Sequence, residues 1–138
     1  MTWSSKPRVV VDTNVFISGL LFGGNPEKVL NAIKDQRLEL VISPSIELEI
    51  LQKMVKFKIA RRHIFAWKKL LESTSILVAP PVEPQISRDA KDNKFLAAAD
   101  MSKAEFLVTG DKDLLTLHSF KQTVIVSPKQ FLTIFATP

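Results

Sequence analysis

Polar side chains follow three short apolar runs at the points where those runs end. Asp12 follows "RVVV", Ser43 follows "LELVI", and Asp111 follows "EFLVTG". Asp92 joins this set by another route, because it precedes Leu96 by four residues and Ala99 by seven, which places it on their face of a helix. If the apolar runs are parallel strands, their carboxyl ends meet at one edge of the sheet, and these side chains converge there.

Convergent carboxylates indicate a bound cation. Burying several of them together costs several kcal/mol unless a positive charge compensates. Oxygen ligands without histidine or cysteine suit Mg²⁺ or Mn²⁺, and the chemistry best served is phosphodiester hydrolysis. A purely structural interpretation also stands for each residue: Asp12, Asp89 and Asp111 as helix N-caps, and Asp92 as a favourable charge at a helix start.

The elements that must position these residues alternate along the chain. Short β-branched runs that are apolar almost throughout predict strands covered on both faces: "RVVVD", "LELVIS", "SILVA", "EFLVTG" and "TVIVS". Longer helical patterns lie between them: "PEKVLNAIKDQ", "PSIELEILQKMVKF", "RRHIFAWKKLLES" and "DAKDNKFLAAADMSKA". This alternation predicts an α/β fold with a parallel sheet flanked by helices.

Length and composition set the broad class of the protein. A chain of 138 residues with 46% hydrophobic content predicts one domain, spanning 1–138. The absence of cysteine excludes disulfides and thiolate metal sites and fits a reducing cytosol. The start "MTWSSKPR" is too short for a signal peptide, and no run reaches membrane-spanning length. We therefore expect a cytoplasmic protein that has no membrane partner.

One segment makes the protein basic. The formal net charge is +5, and the stretch between Ile50 and Leu71 contains seven basic residues and no acid. This stretch predicts a phosphate-binding surface with Phe57 and Trp67 available for stacking. The alternative is a solvated helix face. The predicted nucleic-acid contacts are Lys53, Lys56, Lys58, Arg61 and Arg62.

Three blocks of the chain resemble the motif blocks of PIN-domain nucleases. They are "VVVDTNVFISGLL", "LELVISPSIELEIL" and "DAKDNKFLAAADMSKAEFLVTGDKDLL". The blocks come in the family's order, and the resemblance extends from about Arg8 to Phe131. The third block is the most specific, because an Asp-Asn pair opening a helix is followed by "LVTGDKDLL". Within the family, the chain most resembles the VapC-like ribonucleases, the toxin components of toxin–antitoxin pairs.

The resemblance implies a three-layer α/β/α sandwich around a parallel sheet of about five strands. It also implies an endoribonuclease that depends on Mg²⁺ or Mn²⁺, with RNA as substrate. A cognate antitoxin and a homodimer are the further partners that this subgroup suggests. Carried over by position, the catalytic and metal-binding residues are Asp12, Glu49, Asp92 and Asp111. The residues that would orient ligands or substrate are Thr13, Asn14, Ser43, Thr109 and Asp113.

Two glutamates compete for one place in the predicted site. Glu47 and Glu49 point about 200° apart on a helix, so only one can join Asp12. Helical periodicity favours Glu47, which falls within the apolar arc of that helix. The motif register favours Glu49, which lies six residues after Ser43. We follow the register and predict Glu49, because a site near a helix start lies at the edge of the buried arc.

Other functional classes fit parts of the same pattern. A nucleic-acid-binding regulatory module with a weak or inactive acidic pocket would have the same fold and the same acids. A receiver domain or haloacid-type phosphatase also begins with a strand and an aspartate, but Ser43 and Asn14 stand where those classes need further aspartates. A metal-free ribonuclease would need paired histidines, and the chain has only His63 and His118.

Overall fold

The computed structural model describes residues 6–80 and 92–135. Within them lie six strands: β1 (Arg8–Val11), β2 (Glu39–Ile42), β3 (Ile76–Leu77), β4 (Phe106–Val108), β5 (Ser119–Phe120) and β6 (Thr123–Val126). They form one sheet in the order β3-β2-β1-β4-β6-β5. The five predicted strands run parallel to one another, and β5 adds a short antiparallel edge beside β6. β5 is not among the strands that the sequence predicts.

Seven helices are described in the same ranges: α1 (Thr13–Phe22), α2 (Gly24–Lys34), α3 (Pro44–Lys56), α4 (Arg61–Thr74), α5 (Asn93–Ser102), α6 (Lys112–Leu115) and α7 (Pro128–Phe135). Helix α5 packs across β1, β2 and β4, whereas α7 packs against α2, β4 and β6. The predicted α/β/α architecture is thus confirmed. The predicted cap Asp89, which precedes α5, lies outside the described residues.

The central strands are apolar because helices cover both of their faces. Val9, Val10 and Val11 of β1 are almost completely inaccessible to solvent, and all three residues of β4 are buried. Neighbouring side chains on such a strand point to opposite faces, so burial of consecutive residues requires a layer on each side. This explains why the strand patterns are continuous rather than alternating.

Helix α1 leads directly away from the end of β1, and its position depends on Gly19. A Cβ atom at Gly19 would lie 2.7 Å from Leu30 Cδ1 and 3.0 Å from the backbone carbonyl of Pro26. These distances are too short for any larger residue without movement of α2. The glycine therefore lets α1 and α2 pack closely and fixes the direction in which α1 leaves the sheet.

Trp67 belongs to the core, and the expectation that it stacks on a nucleic acid was wrong. It is only 4% exposed, and its ring meets Phe16 edge to face at a centroid distance of 5.5 Å. The periodicity of α4 explains the difference, since Trp67 and Leu71 are its two buried residues and lie one turn apart. Phe57 remains partly exposed, at 44%. None of the helices in 6–80 and 92–135 has the length and apolar content needed to cross a membrane.

Candidate active site

Strand register brings three of the predicted positions into one row. In the β1–β4 pair Val11 lies opposite Val108, so the next residues in register are Asp12 and Thr109. In the β1–β2 pair Arg8 lies opposite Glu39, and the same register carried forward sets Asp12 beside Ser43. The chain builds outward from β1 to β3 and then crosses back to β4. The row therefore lies at the topological switch point, where ligands of open α/β sheets bind.

Asp12 is a buried carboxylate held by two hydrogen bonds. The residue is 3% exposed. Oδ1 accepts a hydrogen bond from the backbone N–H of Asn14 at 3.0 Å, and Oδ2 accepts one from Thr109 Oγ1 at 2.8 Å. Thr109 Oγ1 in turn accepts from the backbone N–H of Asp111 at 3.0 Å. One chain of hydrogen bonds thus joins the ends of β1 and β4.

The pKa of Asp12 is raised above its ordinary value, chiefly by burial. The hydrogen bonds from Asn14 and Thr109 act in the opposite direction, and the negative charges of Glu49 and Asp111 raise the pKa further. Glu49 and Asp111 therefore each lie within electrostatic reach of Asp12. Because like charges disfavour ionisation at Asp12, a cation placed among these three groups would be strongly attracted.

Glu49 lies at the site and is paired with a lysine from another helix. Its Oε2 is 2.7 Å from Nζ of Lys94, and both side chains are largely shielded, with 24% and 13% of their surface exposed. Burial acts to raise the pKa of Glu49, but Lys94, the Thr13 hydroxyl and the charge of Lys53 together lower it. Glu47 has no role in the interactions that shift the pKa of Asp12. Between the two glutamates, the structure thus brings Glu49 to the site, and its role as a ligand stays a prediction.

The buried Thr13 hydroxyl lies beside the same carboxylate. It is near enough to Glu49 to help lower the pKa of that group, yet Thr13 Oγ1 makes no hydrogen bond of normal geometry within the described residues. The hydroxyl therefore approaches the carboxylate without forming a well-aligned bond to it. An unsatisfied hydroxyl at this depth is uncommon, and it faces the side of the site where Glu49 and Lys94 meet.

Asp92 and Asp111 come from the two remaining elements of the site. Asp92 occupies the N-cap position of α5 and is 5% exposed; the contact of Lys94 with Glu49 places the start of α5 beside α3. Asp111 caps α6, where its Oδ1 accepts from the backbone N–H groups of Asp113 and Leu114 at 2.8 and 3.2 Å. The N-cap interpretation is therefore correct for Asp12 and Asp111. For Asp111, the cap of α6 uses only Oδ1, so this residue can cap the helix and also act as a metal ligand through Oδ2.

The other predicted positions differ in how closely they approach the acids. Ser43 is buried and caps α3, accepting from the Ile46 N–H at 3.3 Å. Asn14 is exposed, and its Oδ1 accepts from Lys53 Nζ at 3.0 Å. Asp113 is exposed and reaches the site only through its backbone bond to Asp111. Ser43 therefore fixes the start of α3, whereas Asn14 and Lys53 lie at the edge of the site.

The four predicted ligands have the right chemistry for a hard divalent cation, but their side chains are not close enough together to coordinate one. Among residues 6–80 and 92–135, no three acidic, histidine or cysteine side chains are close enough to hold a metal ion as they stand. The Lys94 contact accounts for the position of Glu49, which is held toward α5. All four predicted ligands offer oxygen atoms, the donors that Mg²⁺ and Mn²⁺ prefer. The charge at Asp12 is also buried, and the hydrogen bonds that it accepts come from neutral donors.

Lys94 is the site residue that sequence reasoning missed. It lies two residues after Asp92 within the third motif block. A lysine in the first turn of a helix is usually solvated, and nothing in its spacing distinguishes it. Only the packing of α5 against α3 reveals that its ammonium group enters the acidic cluster.

The basic segment divides between the end of α3 and the start of α4. Lys53 lies at the site, and Lys56 is placed over the ring of its neighbour Phe57, 5.8 Å from the centroid. Lys58 lines a cavity of about 330 Å³ together with His63 and other residues. Arg61 and Arg62 are exposed and begin α4, which has no side-chain cap and no acid in its first turn. His118 lines a separate cavity.

A family model described as PIN domain matches residues 8–113. The chain therefore belongs to the PIN-domain family, whose members are generally nucleases that act on nucleic acids with divalent metal ions. The chain is also similar to the uncharacterized protein MJ1680 of Methanocaldococcus jannaschii, with 34% identity over 145 aligned positions that cover 94% of this chain and 92% of the relative. The resemblance found in the three sequence blocks is confirmed at the level of the family.

Proposed function

We propose that this protein is an endoribonuclease that hydrolyses RNA phosphodiester bonds with the help of Mg²⁺ or Mn²⁺. The observation that carries the proposal is the burial of Asp12 at the switch point of the sheet, within electrostatic reach of both Glu49 and Asp111. Each of these acids comes from a different element, and burial of Asp12 has a cost that its capping role does not require. Such an arrangement is typical of a site that holds a cation.

The roles of the residues follow from their places. Asp12, Glu49, Asp92 and Asp111 would hold the metal, which supplies an activated water and neutralises charge on the phosphate. Thr109 orients Asp12 through its hydroxyl and fixes the backbone of Asp111. Lys53, held by Asn14 at 3.0 Å, places a positive charge where a phosphate would approach the acids.

Recognition of RNA is assigned to the basic segment. Arg61 and Arg62 stand at the start of α4, where the helix dipole disfavours positive charge. An anionic ligand would offset this cost, and a phosphate backbone provides anions at regular intervals. Lys53 and Lys56 lie along α3 between this point and the acids, so a single strand could run from the arginines to the site.

Cleavage in the presence and absence of metal tests the proposal. Purified protein should cut labelled single-stranded RNA with Mn²⁺ or Mg²⁺, and chelation should stop the reaction. DNA of the same sequence is the matched substrate, and the Asp12→Asn variant is the matched protein control. Activity that survives full chelation would contradict the metal mechanism. Binding of RNA without cleavage under every metal condition would favour the regulatory-module alternative.

We further propose that the enzyme is the toxin of a type II toxin–antitoxin pair. The support is the likeness of the three motif blocks to VapC-like ribonucleases. Expression should arrest growth, and the Asp12→Asn variant should not. Co-expression of a small protein encoded by the adjoining gene should restore growth. Normal growth during expression of an active enzyme would contradict the toxin role while leaving the nuclease intact.

A further inference from the structure

The ammonium group of Lys94 occupies the acidic site itself. Its Nζ lies 2.7 Å from Oε2 of Glu49, and only 13% of the lysine side chain is exposed. Lysine is rarely shielded to this degree unless it is paired. Its position is also supported locally, since Nζ lies 5.1 Å from the ring centroid of the adjacent Phe95. Lys94 is therefore a shielded positive charge held against Glu49, which itself acts electrostatically on Asp12.

The position of this charge matters for how many metal ions the site can hold. In a two-metal site the ions lie about 3.5–4 Å apart and share acidic ligands. Glu49 is the acid on the α3 side of the cluster, and Lys94 already occupies its oxygen at ion-pair distance. Lys94 uses one oxygen of Glu49, so a single metal would be left with the other oxygen of Glu49 and with Asp12, Asp92 and Asp111.

The net charge of the site also favours a single divalent ion. Lys53 also acts electrostatically on Glu49 and is held at the edge of the site by Asn14. The four predicted ligands and these two lysines together have a net charge of −2, which one divalent ion would neutralise. A second divalent ion would leave the site with an excess of positive charge and would have to displace Lys94 from Glu49.

We propose that Lys94 takes the place of a second metal ion, so that the protein binds one divalent ion per chain. This inference rests on the proposed metal-dependent function. Glu49 then acts through Lys94: it positions the ammonium group, and the ammonium group supplies the positive charge that a second ion would otherwise bring to the phosphate. Glu49 is thereby a positioning residue for Lys94, and the effect of the Lys94 charge is visible in metal stoichiometry as well as in cleavage.

Mn²⁺ binding without RNA tests this assignment. Equilibrium dialysis should give one Mn²⁺ per wild-type chain, and the electron paramagnetic resonance spectrum should be that of an isolated ion. Lys94→Met keeps the apolar stem and removes the charge; it should bind two ions and show Mn–Mn coupling. Lys94→Arg keeps the charge and should bind one. Adding Glu49→Gln to Lys94→Met should return the count to one, since the ligand for the second ion is then removed.

The outcomes separate this inference from the function beneath it. Two coupled ions in the wild-type protein would overturn the role of Lys94 and leave the metal-dependent nuclease standing. A single ion in a folded Lys94→Met variant would also overturn it. Failure of the wild-type protein to bind any Mn²⁺ would overturn the metal-dependent function, and this inference with it. The number of Mn²⁺ ions bound by the wild-type protein can overturn the inference even if Lys94→Met fails to fold.

Discussion

Asp12 combines two roles that are usually separate. As an N-cap it accepts the Asn14 N–H, and any short polar residue could do so. As a carboxylate that is 3% exposed beside Glu49 and Asp111, it carries a charge that the fold disfavours. Capping alone does not account for an acid rather than serine or asparagine at this depth, whereas cation binding does.

The substitution Asp12→Asn should stabilise the metal-free protein at neutral pH. Because burial raises the pKa of Asp12, ionisation costs stability above the folded pKa, and this cost disappears as pH falls toward the ordinary value of 3.8. Asparagine removes the cost while keeping the Asn14 bond. We expect a gain in the free energy of unfolding near pH 7 that shrinks on acidification. Urea denaturation across this pH range measures it.

The exposed Asp35 provides a matched control, since Asp35→Asn changes the same charge far from the cluster, at an ion pair with Arg37. It should change stability by less than about 0.5 kcal/mol. A variant Asp12→Asn that is less stable at every pH would show that the carboxylate has a structural role that outweighs its desolvation. Cleavage should fall by more than about 100-fold in Asp12→Asn and remain unchanged in Asp35→Asn.

Glu49→Gln and Glu47→Gln form a matched pair on one helix. Glu49→Gln should reduce metal-dependent cleavage at least about tenfold, because it removes an acid of the cluster and the partner of Lys94. Glu47→Gln should leave cleavage nearly unchanged. Initial rates at saturating Mn²⁺ decide between them, with circular dichroism to confirm folding. If Glu47→Gln abolished cleavage and Glu49→Gln spared it, the assignment would be wrong by half a helical turn.

The pH dependence of Glu49 has the opposite sign to that of Asp12. The pKa of Glu49 is lowered below its ordinary value of 4.5, because Lys94, Thr13 and Lys53 outweigh burial. Its contribution to stability is therefore present above pH 4.5 and disappears as pH falls through the folded pKa. The destabilising effect of Glu49→Gln on the metal-free protein should accordingly vanish in acid.

At the scale of elements, α3 connects the acids with the basic segment. Ser43 caps it at the carboxyl end of the sheet, Glu49 lies in its second turn, and Lys53 and Lys56 follow one and two turns later. The helix axis rises about 10 Å from Glu49 to Lys56. The basic residues thus extend from the site rather than forming a separate surface, which favours their role as a track for a substrate strand.

Replacing Lys56, Arg61 and Arg62 with glutamine should weaken RNA binding without changing Mn²⁺ affinity. For a single strand, the slope of log affinity against log salt should flatten by roughly 0.7 for each phosphate that the variant no longer binds. The control triple Lys28, Lys103 and Lys129 to glutamine removes the same charge from other exposed positions. Fluorescence anisotropy over a salt series measures both. Equal slopes in the two triples would return the segment to a solvated or protein-binding face.

At the scale of the whole molecule, the site joins elements that are distant in sequence. Asp12 ends the first strand, Glu49 lies on α3, and Asp92 and Asp111 flank α5 and β4. A ligand that binds all of them ties the folded arrangement together and has no counterpart in the unfolded chain. Binding must then stabilise the fold by mass action.

Mn²⁺ should therefore raise the thermal unfolding midpoint. At a concentration one hundred times the dissociation constant, the gain is about 2.7 kcal/mol, which corresponds to roughly 9 °C for a chain of this size. Differential scanning calorimetry with and without Mn²⁺ measures it. Ca²⁺ at the same concentration tests whether the coordination geometry of the ion matters as well as its charge. In Asp12→Asn, Mn²⁺ should change the unfolding midpoint little. An equal shift in Asp12→Asn would locate the metal elsewhere on the protein.

Much of this molecule was determined by its local sequence. The three consecutive valines of β1 predict a strand covered on both faces, because neighbouring side chains of a strand point to opposite faces of the sheet. Asp12, Ser43 and Asp111 mark helix starts through a capping bond made within a few residues. The parallel order of strands then sets these residues along one edge. Such features depend on interactions between near neighbours, which a linear pattern records.

Only the tertiary structure shows that Glu49 lies near Asp12, that Lys94 pairs with Glu49 and that Trp67 is buried. The role of Glu49 as a ligand stays a prediction. Glu47 and Glu49 flank the same buried arc of Ile46, Ile50 and Met54, and which flank faces the acids depends on where α5 packs. Likewise, Lys94 meets Glu49 across 45 residues of chain, and Trp67 finds Phe16 across 51. Helical periodicity fixes the angle between side chains on one helix, but the neighbour that each flank meets is set by how the helices pack together.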